Sequence, residues 1–422
     1  MEMVLEFLRD VLSQPALLIG IMSCIGLIAL KRPFHKVMTG TLKPILGYLM
    51  LAAGAGVIVN NLDPLGKMIE HGFHITGVVP NNEAIVAVAQ KVLGVETMSI
   101  LVVGLLMNLC IARFTKFKYV FLTGHHSLFM ACLMSAVLGT AGLSGMELIL
   151  VGGFLMGAWS AISPAIGQSY TSKVTDGDEI AIGHFGSLGY YLSAWVAKYV
   201  GKADDSTEDI EIPEKWGFLR DSTLSTALTM IVFYLIAAFA AGSEFVATLS
   251  GEMSPYLYAV MSAMNFAVGV TIVYSGVRMI LGDLIPAFQG IATKIIPNAI
   301  PAVDCAVFFT YAPTAVVLGF ISSFIGGIIG MLILGAVGGV LIIPGLVPHF
   351  FCGATAGIYG NATGGRRGAA VGAFLNGLAI TFLPALALPV LGQLGFQNTT
   401  FGDADFAVMG LVLGHAFEWI GM

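Results

Sequence analysis

Long apolar runs separated by short polar clusters set the pattern of this chain. Apolar stretches cover Pro15 to Leu30, Leu42 to Val59 and about Met98 to Ile111. They recur near residues 119–140, 146–163, 223–241, 256–281, 312–334, 335–352, 368–391 and 405–420. A helix needs about 20 residues to cross a bilayer, so the pattern predicts an all-α polytopic membrane protein of about eleven spans. Basic residues mark the ends of these runs: Lys31, Arg32, Lys36 and Lys43 after the first, Arg113, Lys116 and Lys118 after the third. The positive-inside rule places both clusters in the cytoplasm and the N-terminus outside. The most polar stretch, Gly201 to Asp221, is the candidate cytoplasmic linker. It divides one integral membrane domain (1–422) into a first half (1–200), a second half (222–391) and a terminal span (392–422).

Composition sharpens the class. Of 422 residues 57% are hydrophobic and only 10% charged, with mean hydropathy +0.89. Soluble domains carry about 25% charged residues, which excludes a soluble enzyme fold. The 53 glycines suit close helix packing in lipid. A net charge of −6 without a basic arm gives nucleic acid no surface. Five scattered cysteines in apolar surroundings read as core residues rather than disulfides or metal ligands. The N-terminal residues lack the basic start and cleavage site of a signal peptide.

The stretch from Ile295 to Pro313, IIPNAIPAVDCAVFFTYAP, combines prolines with a lone carboxylate, Asp304. A carboxylate at membrane depth costs about 3 kcal/mol on insertion scales. Prolines there free backbone groups that protein or a water-filled cavity must satisfy. A pathway lining follows, with a solvated loop as the alternative. Gly54 to Pro64 (GAGVIVNNLDP) and Gly276 to Pro286 (GVRMILGDLIP) match in the spacing of glycine, leucine and proline. A Pro-Asn pair and then an acid, Glu83 or Asp304, follow each proline. Paired, Pro-interrupted segments in two halves point to a transporter's binding site.

Three histidines sit in or beside apolar runs: His125 and His126 in TGHHS, and His184 in DGDEIAIGHFGS. Neutral imidazole donates from one nitrogen and accepts at the other, which suits hydroxyl-rich ligands. A satisfied core histidine is the alternative for each. Adjacent His125 and His126 do not share a helix face and no metal-ligand spacing accompanies them, so no metal is expected. A proton relay remains open. Arg278 and Asp283 are expected to pair, and Arg366-Arg367 after NATGG to anchor a turn. No phosphate loop or nucleophile elbow is present, so no catalytic residue and no cofactor is expected.

These residues carry a resemblance. LAAGAG (51–56), FLTGHH (121–126), KVTDGDEIAIGH (173–184), residues 287–320 and IIPGLVPHFFCGATAGIYGN (342–361) resemble the membrane (EIIC) subunit of the bacterial phosphoenolpyruvate-dependent phosphotransferase system for L-ascorbate, in the ascorbate–galactitol superfamily. The resemblance implies an inverted repeat of two five-helix halves with re-entrant hairpins plus an eleventh span. It also implies a V-shaped scaffold, a mobile core, homodimerisation and an elevator mechanism in the bacterial inner membrane. Phosphotransfer would require separate EIIB and EIIA partners. Gly54, His125, His184 and Asp304 would hold the sugar, and Glu83, the acid of the first paired segment, is expected to bind substrate with them. The chain departs from the ascorbate pattern at Phe129, Phe185, Ala52, Ala55 and Glu83, and such exchanges of polar for apolar groups alter substrate choice. Two other classes stand beside this one: a proton-coupled secondary transporter of a sugar or organic acid, and an integral membrane enzyme, for which no constellation is found.

Overall fold

The computed structural model describes residues 11, 14–74, 77–80, 82–177, 179–210, 222–392 and 399–420. The first half runs α1 (Pro15–Ala29), α2 (Phe34–Gly72), β1 (Val79–Pro80), α3 (Asn82–Phe114), β2 (Tyr119–Phe121), α4 (Gly124–Thr140), α5 (Gly145–Val174), β3 (Ala181–Ile182) and α6 (Ser187–Val200). The second runs α7 (Ser222–Ala241), α8 (Ser243–Ser250), α9 (Pro255–Lys294), β4 (Ile300–Val303), a 3₁₀ turn (Cys305–Thr310), α10 (Pro313–Ala336), α11 (Leu346–Gly392), β5 (Thr399–Thr400) and α12 (Ala404–Ile420). At 39 and 40 residues, α2 and α9 are each about 60 Å long, twice the hydrocarbon thickness.

Among the described residues six helices are long and apolar enough to cross a membrane, or seven if the bent pair Thr226–Ala241 and Ser243–Ser250 is one span. The protein is therefore a mostly helical, multi-pass membrane protein. Some expected spans are shorter helices, such as Ile19–Ala29 and Ala404–His415. The apolar run 335–352 is not one helix. α10 ends at Ala336, Gly338 takes a left-handed φ of 72°, and α11 starts only at Leu346, after Pro344-Gly345. α11 breaks at Gly364 and Gly365, where the backbone leaves helical angles and Gly365 has φ 60°. A Cβ on Gly365 would strike the carbonyl oxygens of Lys202 and Asp205, so glycine is required there twice over.

The helices pack in two groups. In one, α2 and α9 lie along each other and gather α1 and α7. Four glycines let their backbones touch. A Cβ on Gly54 would sit 2.7 Å from the Gly269 oxygen, and one on Gly47 would sit 2.8 Å from the Gly276 oxygen. In the other group, α11 packs on α10 and α6, and α3 packs on α4 and α5. α7 and α9 expose apolar stripes, Leu224, Leu228, Val232 and Ile236 on α7 and Leu257, Met261, Met264 and Val268 on α9, as a lipid-facing surface does.

Several element ends stand at one common interval. α2 and α9 end 222 positions apart (294 − 72), as do α3 and α10 (336 − 114). α4 and α11 start 222 apart (346 − 124). The same shift carries the glycine pair 54·269 onto 276·47, which is the second pair observed.

One expectation for the polar regions changes, and the candidate linker gains detail. The linker is not free over its first ten residues: Glu208 accepts from the amides of Thr314 and Ala315 at the start of α10, and Asn361 Oδ1 accepts from the Thr207 amide. Arg366 pairs with Asp205. Carboxylates and amides answer orphan helix-end groups there, which a solvated linker would leave to water. Residues 211–221 lie outside the described residues. Asp283 stands 3.6 Å from Lys43 rather than beside Arg278, because the α2–α9 contact brings Lys43 to it.

Candidate functional site

Three short strands, absent from the helical reading of the sequence, build the site. β4 lies between β2 and β3, parallel to both, with Phe121 opposite Ala302 and Ile182 opposite Val303. Parallel pairing turns all three carboxyl ends the same way. β2 leads into His125 and His126 in the first turn of α4, β3 into His184, and β4 into Asp304. Side-chain amides occupy the outer edges. Asn108 of α3 accepts from the Phe121 amide and donates to the Tyr119 carbonyl, and Gln168 of α5 donates to the Ile180 carbonyl. The sheet is thus held on both sides without further strands.

His125, His184 and Asp304 come together around a cavity of about 1000 Å³. Asp304 is buried; its Oδ1 accepts from the Ala306 amide, and its Oδ2 lies 3.4 Å from His125 Nε2. Tyr48, from α2, places its hydroxyl 3.3 Å from His125 Nδ1. With Nε2–H directed to the carboxylate, Nδ1 is the acceptor and Tyr48 donates. His184 Nδ1 accepts from the Gly186 amide at 3.2 Å, and Tyr190 Oη lies 2.8 Å from the same nitrogen. His126 Nδ1 accepts from the Phe185 amide at 3.3 Å, and its ring stacks 3.8 Å from that of His184.

Gly54 is not at this cavity. Its face is taken by Gly269 and Val273, while the neighbouring Leu51 and Ala52 line the space. The side chains of Glu83 and Ala55 lie outside the described residues. Of the two departing phenylalanines, Phe129 lines the cavity, while Phe185 is fully buried and stacks on Phe121 at 4.6 Å.

Sequence reasoning missed Asp403. It precedes α12 in a polar stretch, FGDAD, that reads as a loop. The structure buries it in the cavity wall, where Oδ2 accepts from Asn82 Nδ2 at 2.6 Å and Oδ1 from the Cys352 thiol at 2.8 Å. The Gly402 amide donates to Asn82 Oδ1, closing the loop onto the start of α3. Parallel pairing of Val79 with Thr399 and Pro80 with Thr400 sets that approach. Asp405 accepts from Ser187 Oγ and the Leu188 amide, tying α12 to the first turn of α6 beside His184.

Proximity also appears that residue spacing gave no sign of. His126, His184 and Asp403 offer ligand atoms within 4.8 Å of one another, as do His184, Asp304 and Cys305. The Nδ1 lone pairs of both histidines are engaged by backbone amides, so each neutral ring carries its proton on Nε2. The rings are hydrogen-bond donors in this state, which suits hydroxyl oxygens better than a cation.

Comparison with known proteins agrees with this architecture. Residues 10–405 match the family model described as PTS system sugar-specific permease component, EIIC-GAT. The chain is 28% identical over 417 residues to a protein of Mycoplasma pneumoniae named "Ascorbate-specific PTS system EIIC component", covering 84% of this chain. It spans 62% of that relative's length. A match across nearly the whole chain is enough to conclude that this protein belongs to the PTS sugar-specific permease family.

Proposed function

We propose that this chain is the membrane subunit through which a phosphotransferase system takes up L-ascorbate or a related sugar or polyol, handing it to a separate phosphorylated EIIB partner supplied by EIIA. The observation that carries this reading is the convergence of His125, His184 and Asp304 at the carboxyl ends of three parallel strands beside one large cavity. Such a site binds hydroxyls, and on this reading group transfer falls to the partner.

Elevator-type movement fits the packing. α1, α2, α7, α8 and α9 would form the fixed scaffold, and α3 to α6 with α10 to α12 the moving core that carries the sheet. The two-fold relation of the glycine pairs and the 222-residue interval support an inverted repeat of two halves, with the shorter helices bringing the spans to about eleven. With the basic loop from Lys31 to Lys43 in the cytoplasm of a bacterial inner membrane, the cavity lies along the distal half of α2, from Tyr48 to Phe73, and of α10, from Phe324 to Leu332. It would then open outward. The exposed stripes of α7 and α9 are available to lipid or to a second copy in a homodimer.

Reconstituted liposomes test the reading. Purified protein alone should equilibrate substrate slowly, and accumulation should require phosphorylated EIIB on the cytoplasmic side and yield a sugar phosphate inside. A carrier moves ligand uphill only where another free energy differs between its states, and phosphorylation supplies one. Proton-driven accumulation of unmodified substrate without any partner would replace this reading with the secondary transporter.

A further inference from the structure

We propose that the basic ends of α1, α2, α3 and α9 form one binding surface for anionic phospholipid headgroups, with Phe34 and Phe114 set into the lipid beside them. None of the residues of this surface lines the cavity, and the inference does not depend on what the cavity carries.

Packing brings these ends together. α1 and α9 both run antiparallel to α2: Gly20 meets Ile45 and Leu27 meets Gly40, while Gly54 meets Gly269 and Gly47 meets Gly276. The ends of α1 and α9 therefore lie at the start of α2, and Gly26 packs on Ala287 to hold them there. The turn after α9 adds the end of α3, because the Ile300 amide donates to the Lys118 carbonyl at 2.9 Å.

Lys31, Arg32, Lys36, Arg113, Lys116 and Lys294 are gathered there, all exposed. Two neighbouring lysines are occupied, Lys43 with Asp283 and Lys118 with the Ala112 and Arg113 carbonyls that end α3. Among the described residues the exposed group meets no carboxylate. Uncompensated positive charge where apolar spans end attracts anionic lipid. Phe34 and Phe114, at the ends of α2 and α3 beside these charges, are 79% and 80% exposed. Such rings suit the boundary between headgroup and acyl chain, whereas a small phosphate would give them nothing to contact. Lys31 adds an independent sign. It closes α1 in a Schellman turn, its amide donating to Ile28 and that of Arg32 to Leu27, with φ 55°. Glycine is the usual residue at that left-handed position, because a Cβ is strained there. A lysine kept there gives up cap stability, which a headgroup contact would offset.

The test uses purified full-length protein in neutral detergent, titrated with phosphatidylglycerol or with phosphatidylcholine of the same acyl chains. Native mass spectrometry reads bound lipid, and thermal unfolding reads stability. Each Lys or Arg near an anionic headgroup contributes about fivefold in affinity, so a headgroup held by two of them should be retained roughly twentyfold over phosphatidylcholine. Arg113→Gln combined with Lys116→Gln should lower that preference by about fivefold or more. Lys31→Gly should lower it too, while melting no earlier than the parent in phosphatidylcholine, because the turn is relieved of strain. A purely structural role for Lys31 would leave the preference unmoved. Equal retention of the two lipids by the parent protein, or an unchanged preference in both variants, overturns the inference. The parent comparison decides the question even where a variant does not fold. Inorganic phosphate raising the melting temperature as far as phosphatidylglycerol would identify a small-anion site and also overturn it. So would variants that keep the lipid preference yet lose accumulation driven by phosphorylated EIIB, which would mark a protein-docking face.

Discussion

Tyr48 Oη lies 3.3 Å from Nδ1 of His125, although the two stand on helices of different packing groups. The ring's other nitrogen faces Asp304 at 3.4 Å, so a single imidazole joins α2 to the carboxylate at the end of β4. Any displacement of one helix group against the other must break or remake the Tyr48 contact. On the proposed elevator reading, the contact would report the state of the carrier as well as the orientation of His125.

Removing the parts of this chain should have graded effects. Asp304→Asn keeps the volume but presents a donor where His125 and a ligand hydroxyl need an acceptor. Hydrogen bonds to a charged group contribute about 1.5–3 kcal/mol, so binding should weaken roughly tenfold or more. Tyr48→Phe deletes one neutral hydrogen bond and should cost about 0.5–1.5 kcal/mol. Both proteins should unfold at close to the parent temperature. Calorimetry with an unchanged affinity in Asp304→Asn would reduce that residue to a cap of the 3₁₀ turn through Ala306.

Gly54 offers a clean separation of packing from binding. A methyl group there would sit 2.7 Å from the Gly269 carbonyl and 2.8 Å from the Val273 amide, both backbone atoms that cannot rotate away. Overpacking of this kind costs about 1–3 kcal/mol. Gly54→Ala and its counterpart Gly276→Ala, which would meet the Gly47 carbonyl, should both lower thermal stability while the folded fraction keeps its affinity. Loss of binding with an unchanged melting temperature in Gly54→Ala would restore a direct ligand role.

The helices were readable because each long one carries an apolar run of sufficient length, and α5, α9 and α10 begin within one residue of the runs at 146, 256 and 312. The strands were not. β2, β3 and β4 have two to four residues each, too few for an alternating pattern to show. Asp304 announced itself by standing alone in an apolar run. Asp403 did not, because a carboxylate in FGDAD looks solvated until Asn82, from the start of α3, is seen to donate to it. Gly54 was chosen by resemblance, and its local sequence does not distinguish a helix contact from a ligand contact. The resemblance does not place His126 among the sugar ligands, yet its position in the first turn of α4 stacks it on His184.

The ordered first part of the polar linker should be structural. Glu208 accepts from the Thr314 and Ala315 amides, the first free N–H groups of α10. A carboxylate at a helix N-terminus contributes about 0.5–2 kcal/mol through capping and the helix dipole. Glu208→Ala should destabilise the protein by an amount of that order, read as a lower melting temperature, with Glu208→Gln recovering part of it. Substrate affinity should not move in either variant, since the contact lies at the opposite end of α10 from the cavity-lining residues Phe324 to Leu332. A selective loss of affinity would instead link the cap to the site.

The direction in which the cavity opens can be read by chemical labelling. Glu70, two residues before the end of α2, lines the cavity, whereas Lys36 sits at the other end of the same helix and is exposed. α2 has 39 residues, so the two positions are about 50 Å apart along its axis and on opposite sides of a bilayer. In the proposed orientation, the basic residues around Lys36 put that end in the cytoplasm. In a background with Cys24 and Cys110 replaced by serine, Glu70→Cys should react with a membrane-impermeant thiol reagent in intact cells. Lys36→Cys should react only once the cells are opened. Bound substrate should slow labelling at Glu70→Cys, because a ligand seated between His125 and Asp403 either fills the passage or draws the core away from α2. Labelling of Lys36→Cys from outside would invert the orientation, and the cavity described here would then be the inward-facing one.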